Sequence, residues 1–341
     1  MKLVYRQKKF ALLLWAVLAL SLAAAPACAQ RNVTIKLASL VPENTPWGEA
    51  INRMAVEWAR ATNGEVELIV YHNGVAGSEA DVLRKLRMNQ IQAAMFTSIG
   101  LNAVTPEVMA LSYPLLIHNN EELDVVLEKI RPELETRLER SGFTTLAWAK
   151  AGWVKIFSRA PVFSPAEMRR QKMASSPDEL EMLQAFKTMG FQMVPVDLND
   201  VLVSLNSGML DAVYQSPVFV ANLQVFAVAK NMSSLNLAPF MGSILMNEAA
   251  WRRIPDQHKE KIMQICKQIE NEIEYSIARL EEDAITTMVK YGLQINTLSP
   301  AQEQDWYQEI DRHESALAGP VFNREIYIRI KSILTDYRQG R

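Results

Sequence analysis

Cysteine and histidine are both scarce in this chain, and their scarcity removes several chemistries at once. Of two cysteines in 341 residues, Cys28 lies in the leader-like first stretch and Cys266 lies far from it. Once that leader is removed, no intramolecular disulfide is possible. Cys266 sits among Ile262, Ile265 and Ile269, the setting of a small buried hydrophobe. The four histidines, His72, His118, His258 and His313, are far apart, and none has metal-ligand spacing. There is no G-x-S-x-G elbow, no P-loop and no G-x-G-x-x-G. Asp211 follows a Gly-Met-Leu turn but has no partner in sequence, so a carboxylate satisfied by backbone donors is expected there. The chain reads as a non-enzyme with no cofactor and no metal.

The first 29 residues read as a secretory signal peptide. Lys2, Arg6, Lys8 and Lys9 form a basic start, Phe10 to Ala25 an apolar run, and Ala27-Cys28-Ala29 a small-x-small cleavage site before Gln30. A run of about 16 residues is short for a spanning helix, which needs roughly 20. Lipidation of Cys28 is the alternative, but the preceding Ala25-Pro26-Ala27 lacks an opening Leu. Loss of four positive charges takes the net charge from -2 to -6. A mildly acidic domain has no electrostatic reason to bind nucleic acid. A soluble, exported, periplasmic protein is expected.

Strands and helices alternate through the remainder. Val33–Ala38 alternates as a strand, Trp47–Thr62 reads as a helix stopped by Asn63-Gly64, and Glu65–Tyr71, Glu79–Met88 and Ile91–Thr97 follow as strand, helix and strand. This βαβ pattern implies a mostly parallel sheet with ligands outside the carboxyl ends of its strands. A helix from Asn119-Asn120 to about Arg140 should be kinked or divided at Pro132. Phe143–Phe157 contains Gly152 and reads as two strand segments, the chain crossing between lobes near Trp148–Trp153. A second series then runs through strand 171–175, helix 178–189, strand 191–196, helix 199–207 and strand 210–214, and Ser233–Met246 returns the chain to the first lobe. From Ile254 to Gly292, apolar residues at 262, 265, 269, 273, 277, 280, 284 and 288 place one stripe on a continuous helix. At about 1.5 Å per residue it exceeds 50 Å and should span both lobes.

Several runs, taken in order, resemble a known family. Ile35-Lys36-Leu37-Ala38-Ser39 with Thr45-Pro46 is similar to its opening. Ala61-Thr62-Asn63-Gly64-Glu65-Val66 and Val70-Tyr71-His72-Asn73-Gly74 resemble its "TnG-x-v…vy-x-x-g" run. Pro106-Glu107 with Leu111-Ser112-Tyr113-Pro114 resembles "pe…l-x-x-P", and Leu205 to Ala212 resembles "LqtGvvDg". The family is that of the periplasmic substrate-binding subunits of tripartite ATP-independent periplasmic (TRAP) transporters, the dicarboxylate-binding type. The resemblance implies an α/β fold, a two-lobed periplasmic binding protein of type II-like form with one long helix spanning both lobes. Lobe I is expected over 30–150 plus 241–275 and lobe II over 151–240 plus 276–341. It implies a clamp that closes by hinge motion on a small molecule and passes it to membrane permease subunits. A tetratricopeptide-repeat helper protein is a partner in some members.

The resemblance also marks where this chain departs. The family's arginine, which holds a substrate carboxylate by a two-point salt bridge, lies in "G-x-K-x-R-v". Here the run is Arg170-Gln171-Lys172-Met173-Ala174-Ser175, with Ala174 in the arginine position. A second basic position, after the glycine of Ala151-Gly152-Trp153-Val154, is Val154. A polar position in the first loop becomes Leu40, and an aromatic one becomes Leu198. Around "DG-x-E-N-P" the chain reads Asp211 to Pro217, with Tyr214, Gln215 and Ser216 as plausible contacts. Thr97 and Ser98, at the end of the third strand, and Ser175 complete the expected lining with Trp153. Without a cation, bringing a carboxylate into a closed apolar cleft costs several kcal/mol. An apolar or weakly polar ligand is therefore expected. An organic acid held by Lys155 or Arg159, or a sensor or scaffold role for a membrane partner, stands as the alternative. The same residues also read as ordinary core: Trp148 and Trp153 packing between sheet and helix, Thr97 and Ser98 satisfied by backbone.

Overall fold

A computed structural model describes residues 32–177 and 179–340. The expected signal peptide, its cleavage near Ala29 and Cys28 lie outside the described residues. The first half comprises β1 (Val33–Ala38), α1 (Pro46–Ala61), β2 (Val66–Tyr71), α2 (Glu79–Arg87), β3 (Ala93–Thr97), α3 (Ser98–Asn102), a 3-10 turn at 106–112, α4 (Asn120–Arg140) and β4 (Phe143–Ser158). Then come α5 (Pro165–Met168), β5 (Lys172–Ser175), α6 (Leu180–Thr188), β6 (Gln192–Pro195), α7 (Val201–Asn206), β7 (Ala212–Gln215) and α8 (Pro217–Asn222). The chain closes with β8 (Asn231–Ser233), β9 (Ala238–Asn247), α9 (Glu248–Trp251), α10 (Asp256–Lys290), β10 (Gln294–Asn296), α11 (Pro300–Arg312), α12 (Glu314–Leu317) and α13 (Arg324–Gln339).

The strands form one path, β2-β1-β3-β9-β4-β7-β5-β6, with β8 pairing β4 and β10. β4 is the spine. Its first part pairs antiparallel with β9, from Phe143 opposite Asn247 to Val154 opposite Ala238. Its last part pairs antiparallel with β7, from Lys155 opposite Gln215 to Ser158 opposite Ala212. The crossing expected near Trp148–Trp153 is thus one continuous strand rather than two. Its register shifts between Lys150 and Trp153, where Gly152 takes a φ of 88°. Glycine has no β-carbon to oppose that left-handed backbone, so a bulge turns the strand without ending it.

Helix α10 runs unbroken and buries Ile262, Ile265, Ile269, Ile273 and Ile277 on one stripe. It packs against α1 near one end and α8 near the other, so it spans both lobes. Cys266 is fully buried on this stripe against Met54, and burial pushes its thiol up to about 12. Helix α4 is not divided at Pro132, which lies inside its 21 residues. The ring removes one backbone donor, and neighbouring packing of Ile130, Leu134 and Leu138 keeps the helix whole.

The last 48 residues carry elements that the pattern did not announce. Helix α11 packs on α5 and α12 on α6, whereas α13 returns to α4 and the 106–112 turn. Arg338 bonds Glu122 at 2.7 Å and the Leu116 carbonyl at 2.9 Å, and Tyr113 lies between Phe322 and Tyr327. Helix α13 thus contacts elements of the expected first lobe, although 276–341 was expected to belong to the second. Its Arg329 and Arg338 pair with Glu133 and Glu122, whereas Tyr327 and Lys331 bond Glu314.

Candidate functional site

The strand directions fix where a ligand can sit. β3 and β4 are both antiparallel to β9, so β4 runs with β1, β2 and β3 in the first lobe. Continuing into the second lobe, β4 opposes β7, and β5 and β6 run with β7. The carboxyl ends of β1–β3 therefore face those of β5–β7 across the bulge at Gly152. Ligands in parallel sheets bind at such ends.

On the first side, Leu40 follows β1 and is 41% exposed. It lines a small hollow with Ser39, Gly74, Gly77, Glu79 and Met95. Thr97 and Glu79 are locked together. The carboxylate accepts from the Thr97 amide at 2.6 Å and from its hydroxyl at 2.9 Å. Burial pushes the Glu79 carboxyl up, and these bonds oppose the rise. Ser98 is buried and donates to the Met241 carbonyl at 2.9 Å, so its hydroxyl serves the backbone. Glu79 itself was not anticipated. Only its place after the helix-capping Ser78 could have signalled it.

On the second side the expected residues divide. Leu198 follows β6 and is 49% exposed. Val154 is half-buried opposite Ala238. Trp153 is buried in the core, and its indole donates to Asn120 at 2.9 Å, tying it to the start of α4. Ala174 is also buried, in a cluster with Phe157, Val196, Val201, Leu205 and Val213. Ser175 is 4% exposed, and its hydroxyl has no hydrogen-bond partner among the described residues. Tyr214 donates to Glu179 at 2.9 Å, and burial, with the Glu179 charge, raises its phenol well above the usual range. Gln215 stands opposite Lys155 and accepts from the Ser216 amide, while the Ser216 hydroxyl caps α8 by accepting from Phe219. Ser175, Tyr214, Gln215, Ser216 and Val154 thus share one edge, with Leu40 on the facing edge.

The two cations considered as substitutes for the missing arginine are placed very differently. Arg159 lies past the far end of β4, where its guanidinium donates to the Leu205 carbonyl at 3.1 Å. Its amide donates to Asp211, at the entry rather than the exit of β7. Asp211 accepts from the Lys172 amide at 3.0 Å, the backbone role expected of it. Lys155 is at the exit edge. It is 9% exposed and donates to Asn236 at 2.7 Å and to the Ser234 carbonyl at 3.2 Å. Alternation puts it on the face of Phe157, the face that also carries Ala174 and packs against α10. Burial lowers its ammonium pKa, and the Glu281 charge opposes that. Glu281, on α10, is raised by burial, opposed by Lys155 and by the Trp153 amide that it accepts. Glu281 was not anticipated, because the apolar stripe read from the sequence runs through Leu280 and Ala284 and leaves Glu281 beside it.

Among the described residues no group of three or more His, Cys, Asp or Glu is placed to hold a metal, and no helix is long and apolar enough to cross a membrane. The family described as bacterial extracellular solute-binding protein, family 7, matches residues 37–316. A solute-binding protein of Verminephrobacter eiseniae is 24% identical over 261 residues, 76% of each chain. The 2,3-diketo-L-gulonate-binding periplasmic protein of Escherichia coli is 23% identical over 69% of this chain and 72% of that one. In structure, the chain is similar to a TRAP periplasmic solute-binding protein from Sulfurospirillum deleyianum with bound succinate. The TM-score is 0.77 at 21% identity, covering 89% of this chain and 99% of the other. A Chromohalobacter salexigens counterpart with bound d-glucuronate gives 0.77 at 18%, covering 90% and 100%.

Proposed function

The chain belongs to bacterial extracellular solute-binding protein family 7, the periplasmic substrate-binding subunits of TRAP transporters, and from that premise we propose that its cleft takes a small apolar or weakly polar solute. Members of this family bind small molecules and work with membrane permease subunits; they are transport components and not enzymes. The observation that carries the ligand class is the fate of the cations. Ala174 and Val154 hold the positions where the family resemblance calls for basic residues, Arg159 is at the wrong end of the sheet, and Lys155 already has Asn236, Ser234 and the Glu281 charge around it. On this reading the basic side chains considered at this edge are already bonded within the protein, and desolvation of an entering carboxylate costs several kcal/mol. Burying roughly 200–300 Å² of apolar ligand surface contributes about 5–7 kcal/mol before association costs. The exposed Leu40 and Leu198 supply apolar surface from facing edges. Ser175 supplies one buried hydroxyl for a single polar group on the ligand.

On this reading lobe I comprises 30–150 and 241–275 with α13 added, and lobe II comprises 151–240 with the rest of 276–323. The leader directs the chain to the periplasm. A second reading, an organic acid, is favoured by the burial of Lys155 on the sheet face of Ala174. Solved relatives with bound succinate and d-glucuronate have the same fold. Mass spectrometry of what is released on denaturing the purified protein separates the two. A neutral, apolar molecule is expected, and recovery of a stoichiometric dicarboxylate or sugar acid would establish the second reading instead.

A further inference from the structure

Ser175 and Tyr214 stand at the exits of two neighbouring parallel strands. In the register of β5 and β7, Met173 is opposite Ala212, and Ser175 and Tyr214 each lie two positions further along. Side chains two apart leave the same face of a sheet, so both hydroxyls rise from the face that carries Met173 and Ala212. Ile156 lies opposite Tyr214, and Phe186 of α6 covers the same face, its ring 6.5 Å from that of Tyr214. Tyr214 is half-buried and donates to Glu179, the residue that begins α6, at 2.9 Å. With its one hydrogen so committed, the phenol oxygen can only accept from a further partner. Ser175 is the complement. It is 4% exposed, and its hydroxyl, which can donate, has no hydrogen-bond partner among the described residues. Buried hydroxyls are seldom left so, because taking one out of water without a partner is costly.

We propose that Ser175 and Tyr214 form a subsite for a hydroxyl group on an otherwise apolar solute, with Glu179 as the residue that positions the Tyr214 hydrogen. This rests on the apolar or weakly polar reading above and names the solute's polar end as an alcohol. A guest hydroxyl accepts from Ser175 and donates to Tyr214, so every hydrogen from Ser175 through the guest and Tyr214 to Glu179 has an acceptor. Other heads fit less well. An ether can accept from Ser175 but leaves Tyr214 without a donor. A carboxylate also accepts from Ser175, but it then sets a further acceptor beside Tyr214 and the Glu179 carboxylate, neither of which has a hydrogen left to give it. An ammonium has no lone pair for Ser175.

The test is titration calorimetry on the purified chain, refolded from urea to strip any co-purifying solute. The probes are hexan-1-ol, its isomer methyl pentyl ether, hexylamine and hexanoate. Wild type is expected to bind the alcohol at least about tenfold more tightly than the ether, since a site built to pair a hydroxyl rejects the analogue without its hydrogen. Tyr214→Phe should bring the two affinities to within about twofold of each other. Ser175→Ala should weaken alcohol and ether alike and leave their ratio standing, because both accept from Ser175. Glu179→Leu should free the Tyr214 hydrogen for the guest and raise the ether towards the alcohol. Glu179→Gln keeps an oxygen to accept that hydrogen and should keep the ratio, whereas a merely structural role for Glu179 would weaken all four probes together. An ether bound as tightly as the alcohol, a ratio that survives Tyr214→Phe, an amine bound more tightly than the alcohol, or no binding of any probe overturns the proposal. If Tyr214→Phe is too unstable to titrate, Glu179→Leu decides, and an unchanged ratio there overturns it. Preference of wild type for hexanoate over the alcohol would sink the apolar reading, while the alcohol-to-ether ratio and its response to Tyr214→Phe would still decide the subsite.

Discussion

The α-carbon of Gly152 faces the carboxylate of Glu281 so closely that a β-carbon there would come within 2.6 Å of it. The same glycine holds a φ of 88°, so side chain and backbone both demand glycine at the point where β4 changes lobes. Gly152→Ala should cost about 1–3 kcal/mol through backbone strain alone. Urea denaturation measures this directly. Adding Glu281→Gln should not restore the loss, because strain in φ does not depend on the charge opposite. An alanine variant as stable as wild type would mean that the strand crosses without the bulge.

Ala174→Arg separates a cleft position from a core position. Ala174 is buried in one apolar cluster with Phe157, Val196, Val201, Leu205 and Val213, so a guanidinium there should be buried without a partner. An uncompensated buried charge costs several kcal/mol. The variant should lose at least about 3 kcal/mol in denaturant and gain no affinity for succinate in calorimetry. Succinate binding by a stably folded Ala174→Arg would show that this strand end opens to the ligand, and that substitution at this one position sets the ligand class.

Much of this architecture was legible because burial imposes periodicity. The five isoleucines from Ile262 to Ile277 announced α10, and the alternation of 33–38 announced β1. The site was legible only as positions along the chain. Leu40 and Leu198 can be placed at strand ends by pattern, but whether Trp153 faces a ligand or Asn120 depends on a partner 33 residues away. Lys155 shows the same limit. Its type and its parity in the strand were readable, but Asn236, 81 positions later, takes its ammonium. Helix α13 was missed because its apolar face, Ile326, Tyr327, Ile330 and Leu334, does not reveal which lobe it will cover.

Acid should loosen the first lobe through Glu270. Burial pushes its carboxyl up, but bonds from Arg131, Lys267 and the Trp148 amide outweigh that and hold it below the ordinary range. Arg131 meets it with two bonds, at 2.7 and 3.2 Å. A group whose folded pKa is depressed contributes stability above its unfolded value, about 4.3, and loses that contribution as pH falls through the folded value. The Tm should therefore fall below about pH 4.5 for this reason among others. Arg131→Met should be less stable at pH 7, near the low end of about 3–5 kcal/mol, since Lys267 and Trp148 remain. It should also show a shallower acid slope between pH 5 and 3. An unchanged slope would mean that other carboxylates account for the acid dependence.

Replacing Leu40 and Leu198 tests the apolar cleft without disturbing the core. Both are well exposed, at 41% and 49%, so exchanging either for serine removes little packing. Stability should change by less than about 0.5 kcal/mol, as for most surface substitutions. Ligand affinity should respond differently, because closure brings the two strand edges together and moves both side chains out of water. Each leucine fully buried against a guest contributes about 1.5–3 kcal/mol, and partial burial proportionally less. The double variant Leu40→Ser/Leu198→Ser should therefore bind the co-purifying solute at least tenfold more weakly, with its denaturation midpoint unmoved. If affinity holds in calorimetry while both leucines are gone, the guest lies elsewhere. Ser175 and Tyr214, deeper on the second edge, would then be the next positions to change.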